Sequence, residues 1–318
     1  MPDVLPLSRF LLPVDDSEPS RRGVSCAGCL AAALGARVEE ICLLHVVQGH
    51  YLSQHMENVD FRVEEVLQSE AMRQVREHRL AEAVAPVLAQ AEQELRRLGV
   101  QGMVHRRVEA GAPPDQIARV ALDGGYSTIV MGRSWGSLAW ETLLGDFTLS
   151  LLHRPHAATL YMAGQEVLEN ERCLLPRVLV PLDGSPHSEA ALREAAALAS
   201  ASPRRVEEIV LLRVIDPARF EKQPAGKAEE EAREIVARGC RLLAAAAIPE
   251  AKVATAVRSG APAEIILETA AQERSTLILM GRRGRSAWRD LVMGGVSTEV
   301  LQRCQEPTIA IVSAASPS

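Results

Sequence analysis

The chain is written twice, and that repetition constrains its fold more than any other feature. Phe10-Leu11-Leu12-Pro13-Val14-Asp15-Asp16-Ser17 returns as Val178-Leu179-Val180-Pro181-Leu182-Asp183-Gly184-Ser185. Arg37-Val38-Glu39-Glu40-Ile41-Cys42-Leu43-Leu44-His45-Val46 returns as Arg205-Val206-Glu207-Glu208-Ile209-Val210-Leu211-Leu212-Arg213-Val214. Both pairs are offset by 168 positions, whereas Glu109-Ala110-Gly111-Ala112-Pro113 meets Arg258-Ser259-Gly260-Ala261-Pro262 at an offset of 149. The first copy therefore holds 19 extra residues between its second strand and the Gly-Ala-Pro segment. Two units of about 150 residues can each bury a core of their own. The polar stretch from Gly164 to Arg177 marks the boundary, giving domains at 1–164 and 176–318.

Each copy alternates short apolar runs with longer helical patterns, the signature of β-α-β units around a parallel sheet. In the second copy the strands read as Val178–Pro181, Ile209–Val214, Lys252–Val257, Thr276–Met280 and Thr308–Val312. Helices fall between them at about Ser188–Ala201, Glu229–Ala247, Pro262–Gln272 and Ser297–Cys304. The predicted class is α/β, as two doubly wound five-stranded parallel sheets in the flavodoxin-like order 3-2-1-4-5. A ligand then belongs beyond the carboxyl ends of strands one and four, where the strand order reverses. The 19 extra residues fall between His50 and Gly99, and from Val63 onward read as a long helix interrupted at Pro86. They would lengthen a helix by about 28 Å, as a surface helix, a packing arm or a lid over the neighbouring domain.

A glycine loop is repeated as well, intact once and damaged once. The second copy reads Met280-Gly281-Arg282-Arg283-Gly284, nine residues, then Gly294-Gly295-Val296-Ser297 before a helical pattern. Glycines at 281 and 284 permit positive φ and leave room for a ligand against the main chain. Successive N–H groups in such a turn can face an anion, and the following helix start favours a phosphate. Ser297 adds a candidate hydroxyl donor. The first copy places Trp135 at the second glycine and Asp146 directly after Gly145. Residues 281–294 carry Arg282, Arg283, Arg285 and Arg289 against Asp290, a balance of +3, while 132–145 balance to zero with Arg133 against Glu141. A carboxylate about 4 Å from a phosphate oxygen costs on the order of 4 kcal/mol at an effective dielectric of 20. One working phosphate site, in the second copy, is the expectation.

A net charge of −6 and a pI of about 5.8 argue against nucleic acid as a main partner. No apolar run approaches the roughly 18 residues of a membrane span, and no secretory signal is evident at Met1-Pro2-Asp3-Val4. Six scattered cysteines fit a reduced, cytoplasmic protein better than a disulfide framework.

On these residues the chain resembles a tandem universal stress protein over nearly all of both copies. ATP-binding members carry Gly-x2-Gly-x9-Gly-(Ser/Thr), matched by Gly281, Gly284 and Gly294, and an Asp after the first strand, matched by Asp183. Their Leu-Leu-His-Val second strand is matched by Leu43-Leu44-His45-Val46. The resemblance implies that Pro181, Leu182, Asp183 and Val214 surround an adenosine. It implies that Met280, Gly281, Arg283, Gly284, Gly294, Gly295, Val296 and Ser297 hold ribose and phosphates. The implied ligand is ATP or another adenine nucleotide, with Mg2+ as a candidate companion. Gly295 departs from the motif, since a Ser or Thr hydroxyl is expected there. The first copy resembles the members that lack the motif and do not bind ATP. The family dimerises through its last strand, so Thr159–Met162 and Thr308–Val312 are expected to pair within the chain as a pseudo-dimer, with a further homodimer open.

The other candidates are weaker. Cys26-Ala27-Gly28-Cys29 has redox or metal spacing, but small residues in a packed helix account for it equally well. His50 and His55 flank Tyr51 in the insert, His45 reads as a packed or strand-end histidine, and His153 and His156 as surface residues. No Gly-x4-Gly-Lys-Ser/Thr loop is present. The sequence thus predicts a regulatory, stress-response nucleotide-binding protein rather than an enzyme, with an unidentified protein partner. Its alternatives are a nucleotide-free interaction scaffold and a slow ATPase.

Overall fold

The computed structural model describes residues 7–47, 70–133, 146–152, 154, 158–165, 175–217, 226–283 and 293–313. In the first half, strands β1 (Arg9–Pro13), β2 (Glu40–Val47), β3 (Met103–Ala110), β4 (Thr128–Gly132) and β5 (Thr159–Ala163) alternate with helices. These helices are α1 (Glu18–Leu34), α2 (Glu70–Arg97), α3 (Pro113–Asp123) and α4 (Asp146–Leu152). The second half repeats the pattern with β6 (Arg177–Pro181), β7 (Glu208–Ile215), β8 (Val253–Ser259), β9 (Leu277–Gly281) and β10 (Thr308–Val312). Its helices are α5 (Pro186–Ala201), α6 (Lys227–Ala245), α7 (Pro262–Gln272) and α8 (Gly295–Arg303).

The strand order is β3-β2-β1-β4-β5-β10-β9-β6-β7-β8, so each half has the expected 3-2-1-4-5 order and the two join as one ten-stranded sheet. Within each half the neighbours are parallel. At the centre β5 and β10 run antiparallel, with Met162 opposite Ile309, Tyr161 opposite Ala310 and Leu160 opposite Ile311. This pairing removes two exposed edges. The outer edge β3 carries Arg106 and Arg107, tied to Glu92 and Glu109 at 2.8 and 2.6 Å, and such charges discourage edge-to-edge association.

All five residues of both β5 and β10 are buried, and four of the five in each are apolar. One hydrophobic layer packs α1, α2, α5 and α6 on one face, and a second packs α3, α4, α7 and α8 on the other. Both layers draw residues from both halves. Each fully buried Leu, Ile or Val in them contributes roughly 1.5–3 kcal/mol, so the halves share their strongest source of stability. One buried carboxylate interrupts this apolar centre. Glu194 of α5 accepts hydrogen bonds from Tyr161 Oη at 2.8 Å and Thr159 Oγ1 at 3.3 Å, both on β5 of the other half. Burial pushes its pKa up to about 7, against the opposing effects of those two hydroxyls and of Arg37.

Two expectations change. Pro86 does not end the long helix, because α2 runs through it from Glu70 to Arg97. A proline costs a helix one N–H bond and some straightness, and the burial of Val84, Leu88, Ala91 and Leu95 outweighs that loss. Its main partners are α1, β2 and β3, so the described part of α2 packs on its own half. The segment 48–69, with His50, His55 and Val63, lies outside the described residues. Secondly, α8 begins at Gly295 rather than Ser297, with Gly294 as its N-cap in extended conformation. No described helix is long and apolar enough to cross a membrane.

Candidate functional site

Sequence order brings β6 and β9 side by side, and their carboxyl ends open onto a cavity of about 430 Å3. Its size falls in the range of small-molecule sites. Eleven of the twelve residues singled out by sequence line it, and the twelfth, Gly284, lies outside the described residues. Pro181 and Leu182 come from the end of β6, Val214 from β7, and Met280 and Gly281 from β9. Asp183 follows β6, and its Oδ1 accepts the Ser185 N–H at 3.0 Å. Ser185 in turn caps α5, accepting the Ser188 N–H at 3.2 Å. That pair of local bonds fixes the Asp183 carboxylate at the cavity rim.

The opposite rim is the start of α8. Thr298 makes its first intrahelical bond, to Gly294 O at 2.9 Å. The N–H groups of Gly295, Val296 and Ser297 therefore have no acceptor within the helix, and all three residues line the cavity. Partial positive charge gathers there. The Gly294 N–H is used to close the loop, donating to Arg282 O at 3.0 Å.

Three details differ from the sequence reading. Ser297, only 5% exposed, does not offer its hydroxyl hydrogen to a phosphate. It donates to the Gly281 carbonyl at 2.9 Å, because a buried strand-end carbonyl needs a partner. Gly281 itself has no positive φ. Its role is close packing: a Cβ there would lie 2.6 Å from the carbonyl carbon and 2.8 Å from the oxygen of His187, at the start of α5. The four-arginine balance also fails at Arg282, which is buried and donates across to the Leu152 and Arg154 carbonyls of the first half. Arg285 and Arg289 lie outside the described residues, as does Asp290. Among the lining residues the cations are Arg213 and Arg283, set against the carboxylates of Asp183, Asp216 and Glu299. Glu299 is already paired with Arg303 at 2.8 Å. Beside the loop, burial and the charges of Arg283 and Arg282 hold the His187 pKa below the ordinary value of 6.5, so the ring is neutral at pH 7.

Sequence reasoning did not single out Arg213, Asp216, Pro262, Ile266 or Glu299 as lining residues. For Pro262 a signal existed, since its Gly-Ala-Pro segment is one of the repeated ones. Arg213 donates to Leu182 O at 3.4 Å, and His45 at the matching position lies 2.8 Å from Val14 O. His45 thus lies within β2, tied to the backbone just after β1. Cys26 is buried and Cys29 half-buried in α1, and no group of three or more His, Cys, Asp or Glu able to hold a metal occurs among the described residues. His153 and His156 lie outside them.

The first half has a counterpart cavity of about 270 Å3. Pro13, Asp15, Val46, Ile117, Met131 and Thr148 line it where Pro181, Asp183, Val214, Ile266, Met280 and Ser297 line the larger one. Its adjoining helix α4 starts at Asp146 and has seven residues against nine in α8. Trp135 and Glu141 lie outside the described residues.

Comparison with known proteins matches this arrangement twice over. The model of the universal stress protein family matches residues 6–160 and again 175–311. A universal stress protein of Mycolicibacterium smegmatis is 31% identical over 206 residues, 62% of this chain and 66% of that relative. Universal stress protein MJ0531 of Methanocaldococcus jannaschii is 24% identical over 159 residues, covering 48% of this chain and 90% of its own. A universal stress protein of Archaeoglobus fulgidus, known from its crystal structure, superposes with a TM-score of 0.67 at 23% identity and covers 98% of both chains. With one family match on each half of its duplicated sheet, the chain belongs to the universal stress protein family.

Proposed function

We propose that the second half binds one adenine nucleotide, ATP or a close relative, and that the chain acts as a regulatory binding protein. The observation that carries this reading is the convergence of eleven sequence-predicted residues on one cavity at the point where the strand order reverses. The apolar end, with Pro181, Leu212, Val214, Met280 and Ile266, suits a flat nucleobase. The α8 amides and Arg283 suit phosphate oxygens, which need several donors. A Mg2+ would travel on the phosphates, since the described residues supply no cluster of their own. Binding regulates if the ligand favours one arrangement of the chain over another, and an α8 shared between the cavity and the interface makes such a preference physically reasonable.

Isothermal titration with ADP and ATP tests this, on the wild type and on Gly284→Trp, which copies the bulky ring of Trp135. The expected result is one site per chain in the wild type and none in the variant. Equal heats from the two proteins would defeat the assignment. The interaction-scaffold alternative draws its support from Gly295, which removes a hydroxyl from the phosphate end, and it predicts no heat from either.

A further inference from the structure

The damaged loop of the first half keeps one segment unchanged: Met131-Gly132-Arg133, the counterpart of Met280-Gly281-Arg282. Arg133 is 4% exposed and its guanidinium crosses into the second half. Nη1 donates to the carbonyls of Cys304 at 2.9 Å and Leu301 at 3.3 Å, and Nη2 to those of Pro307 at 3.1 Å and Gln305 at 3.5 Å. These carbonyls lie at or just beyond the end of α8, where helical partners run out and partial negative charge collects. The Arg133 carbonyl is itself held by Arg22 Nη2 at 2.5 Å, and Arg22 is buried and paired with Glu18 at 2.5 Å. Position 190, the counterpart of Arg22, is an alanine, so this buttress belongs to the first half alone.

We propose that Arg133 is a positioning residue for the second half's ligand cavity, supplied by the first half. The proposal rests on the nucleotide reading above. Helix α8 is nine residues long, about 13 Å, and reaches from the cavity to the interface. At its cavity end it is held by the Gly294 N–H on Arg282 O and the Ser297 hydroxyl on Gly281 O. At its far end Arg133 gathers four carbonyls. A short helix pinned at one end can swing; pinned at both, it keeps three amides aimed at one point in the cavity. The reciprocal contact, Arg282 on the Leu152 and Arg154 carbonyls, grips α4, whose first residue is Asp146. Arg282 therefore secures the interface, and only Arg133 acts on a helix start that suits phosphate. This gives the first half a task that survives the loss of its own glycines.

The test uses the full-length chain with Arg133→Met, which keeps apolar bulk without donors, and Arg133→Lys, which keeps the charge with fewer donors. Hydrogen exchange of the ligand-free proteins is read over 295–303, and the dissociation constants of ADP and adenosine are measured. Arg133→Met should speed exchange in 295–303 while β6 and β9 keep their protection. Its ADP affinity should fall roughly 3- to 30-fold while adenosine changes less than about twofold, because only the phosphate end depends on α8. Arg133→Lys should recover part of both effects, and it carries the test alone if Arg133→Met fails to fold. Unchanged exchange in 295–303, or equal losses for ADP and adenosine, would overturn the positioning role. A wild type that binds ADP beside an indifferent Arg133→Met removes this inference only, whereas a wild type that binds neither ligand removes the nucleotide reading and this inference with it.

Discussion

Gly295→Ser is the most informative single change at the phosphate end. Gly295 is the first residue of α8, and a Cβ built there meets nothing within 4 Å among the described residues. Its φ is not positive, so a side chain brings no backbone strain. The added hydroxyl would stand beside the N–H groups of Val296 and Ser297, where family members that bind ATP carry their Ser or Thr. A hydrogen bond to a charged acceptor contributes about 1.5–3 kcal/mol, which corresponds to roughly 10- to 150-fold tighter binding. Fixing the serine rotamer costs about 0.5 kcal/mol or slightly more, so the lower part of that range is expected. Titration calorimetry with ADP and with adenosine, on wild type, Gly295→Ser and Gly295→Ala, separates the contributions. Net of that cost the serine variant should gain roughly 5- to 70-fold for ADP, and little for adenosine. The alanine variant should stay close to wild type, since it changes helix propensity without adding a donor. A serine variant no tighter than the alanine variant would mean that phosphates do not approach the start of α8.

Two further predictions concern the frame around the site. Glu194 has a folded pKa of about 7 against an ordinary value of 4.5, so between these pH values the folded chain binds more protons than the unfolded one. Its contribution to stability therefore falls as pH rises from about 4.5 and reaches its full cost, on the order of 3 kcal/mol, above pH 7. Urea denaturation of Glu194→Gln and wild type at pH 5 and pH 8 should show the variant gaining relative stability at the higher pH; a difference independent of pH would refute the buried-carboxylate argument. Gly281→Ala should destabilise by about 1–3 kcal/mol, since its Cβ must displace the His187 backbone at the start of α5. A melting temperature equal to wild type would show that this contact is not tight.

Much of the fold was legible because the duplication repeats one β-α-β element order, and the expected 3-2-1-4-5 strand order is the one each half adopts. The central β5–β10 pairing was expected from the resemblance to a family that dimerises through its last strand, and both strands are apolar after an initial threonine. The convergence of Asp183 and the Gly281 loop followed from topology alone. Side-chain direction was not legible. Counting arginines in a window treats Arg282 and Arg283 alike, yet successive residues at a strand end point to opposite sides, and only Arg283 lines the cavity. Ser297 was misjudged for a related reason: sequence shows a hydroxyl but not the Gly281 carbonyl 2.9 Å away that claims it. The carboxylates Asp216 and Glu299 reach the rim from outside the repeated segments. Arg133 illustrates the limit most clearly, because nothing near it in sequence identifies the far end of α8 as its destination.

The central claim is one adenine nucleotide per chain, held in the second half. Mass spectrometry of small molecules released on denaturing freshly purified protein, followed by titration of the emptied protein with Mg-ATP, tests it most directly. The account predicts a released or titrated adenine nucleotide at close to one per chain. No released nucleotide together with no titratable Mg-ATP site, or a stoichiometry near two, would contradict it.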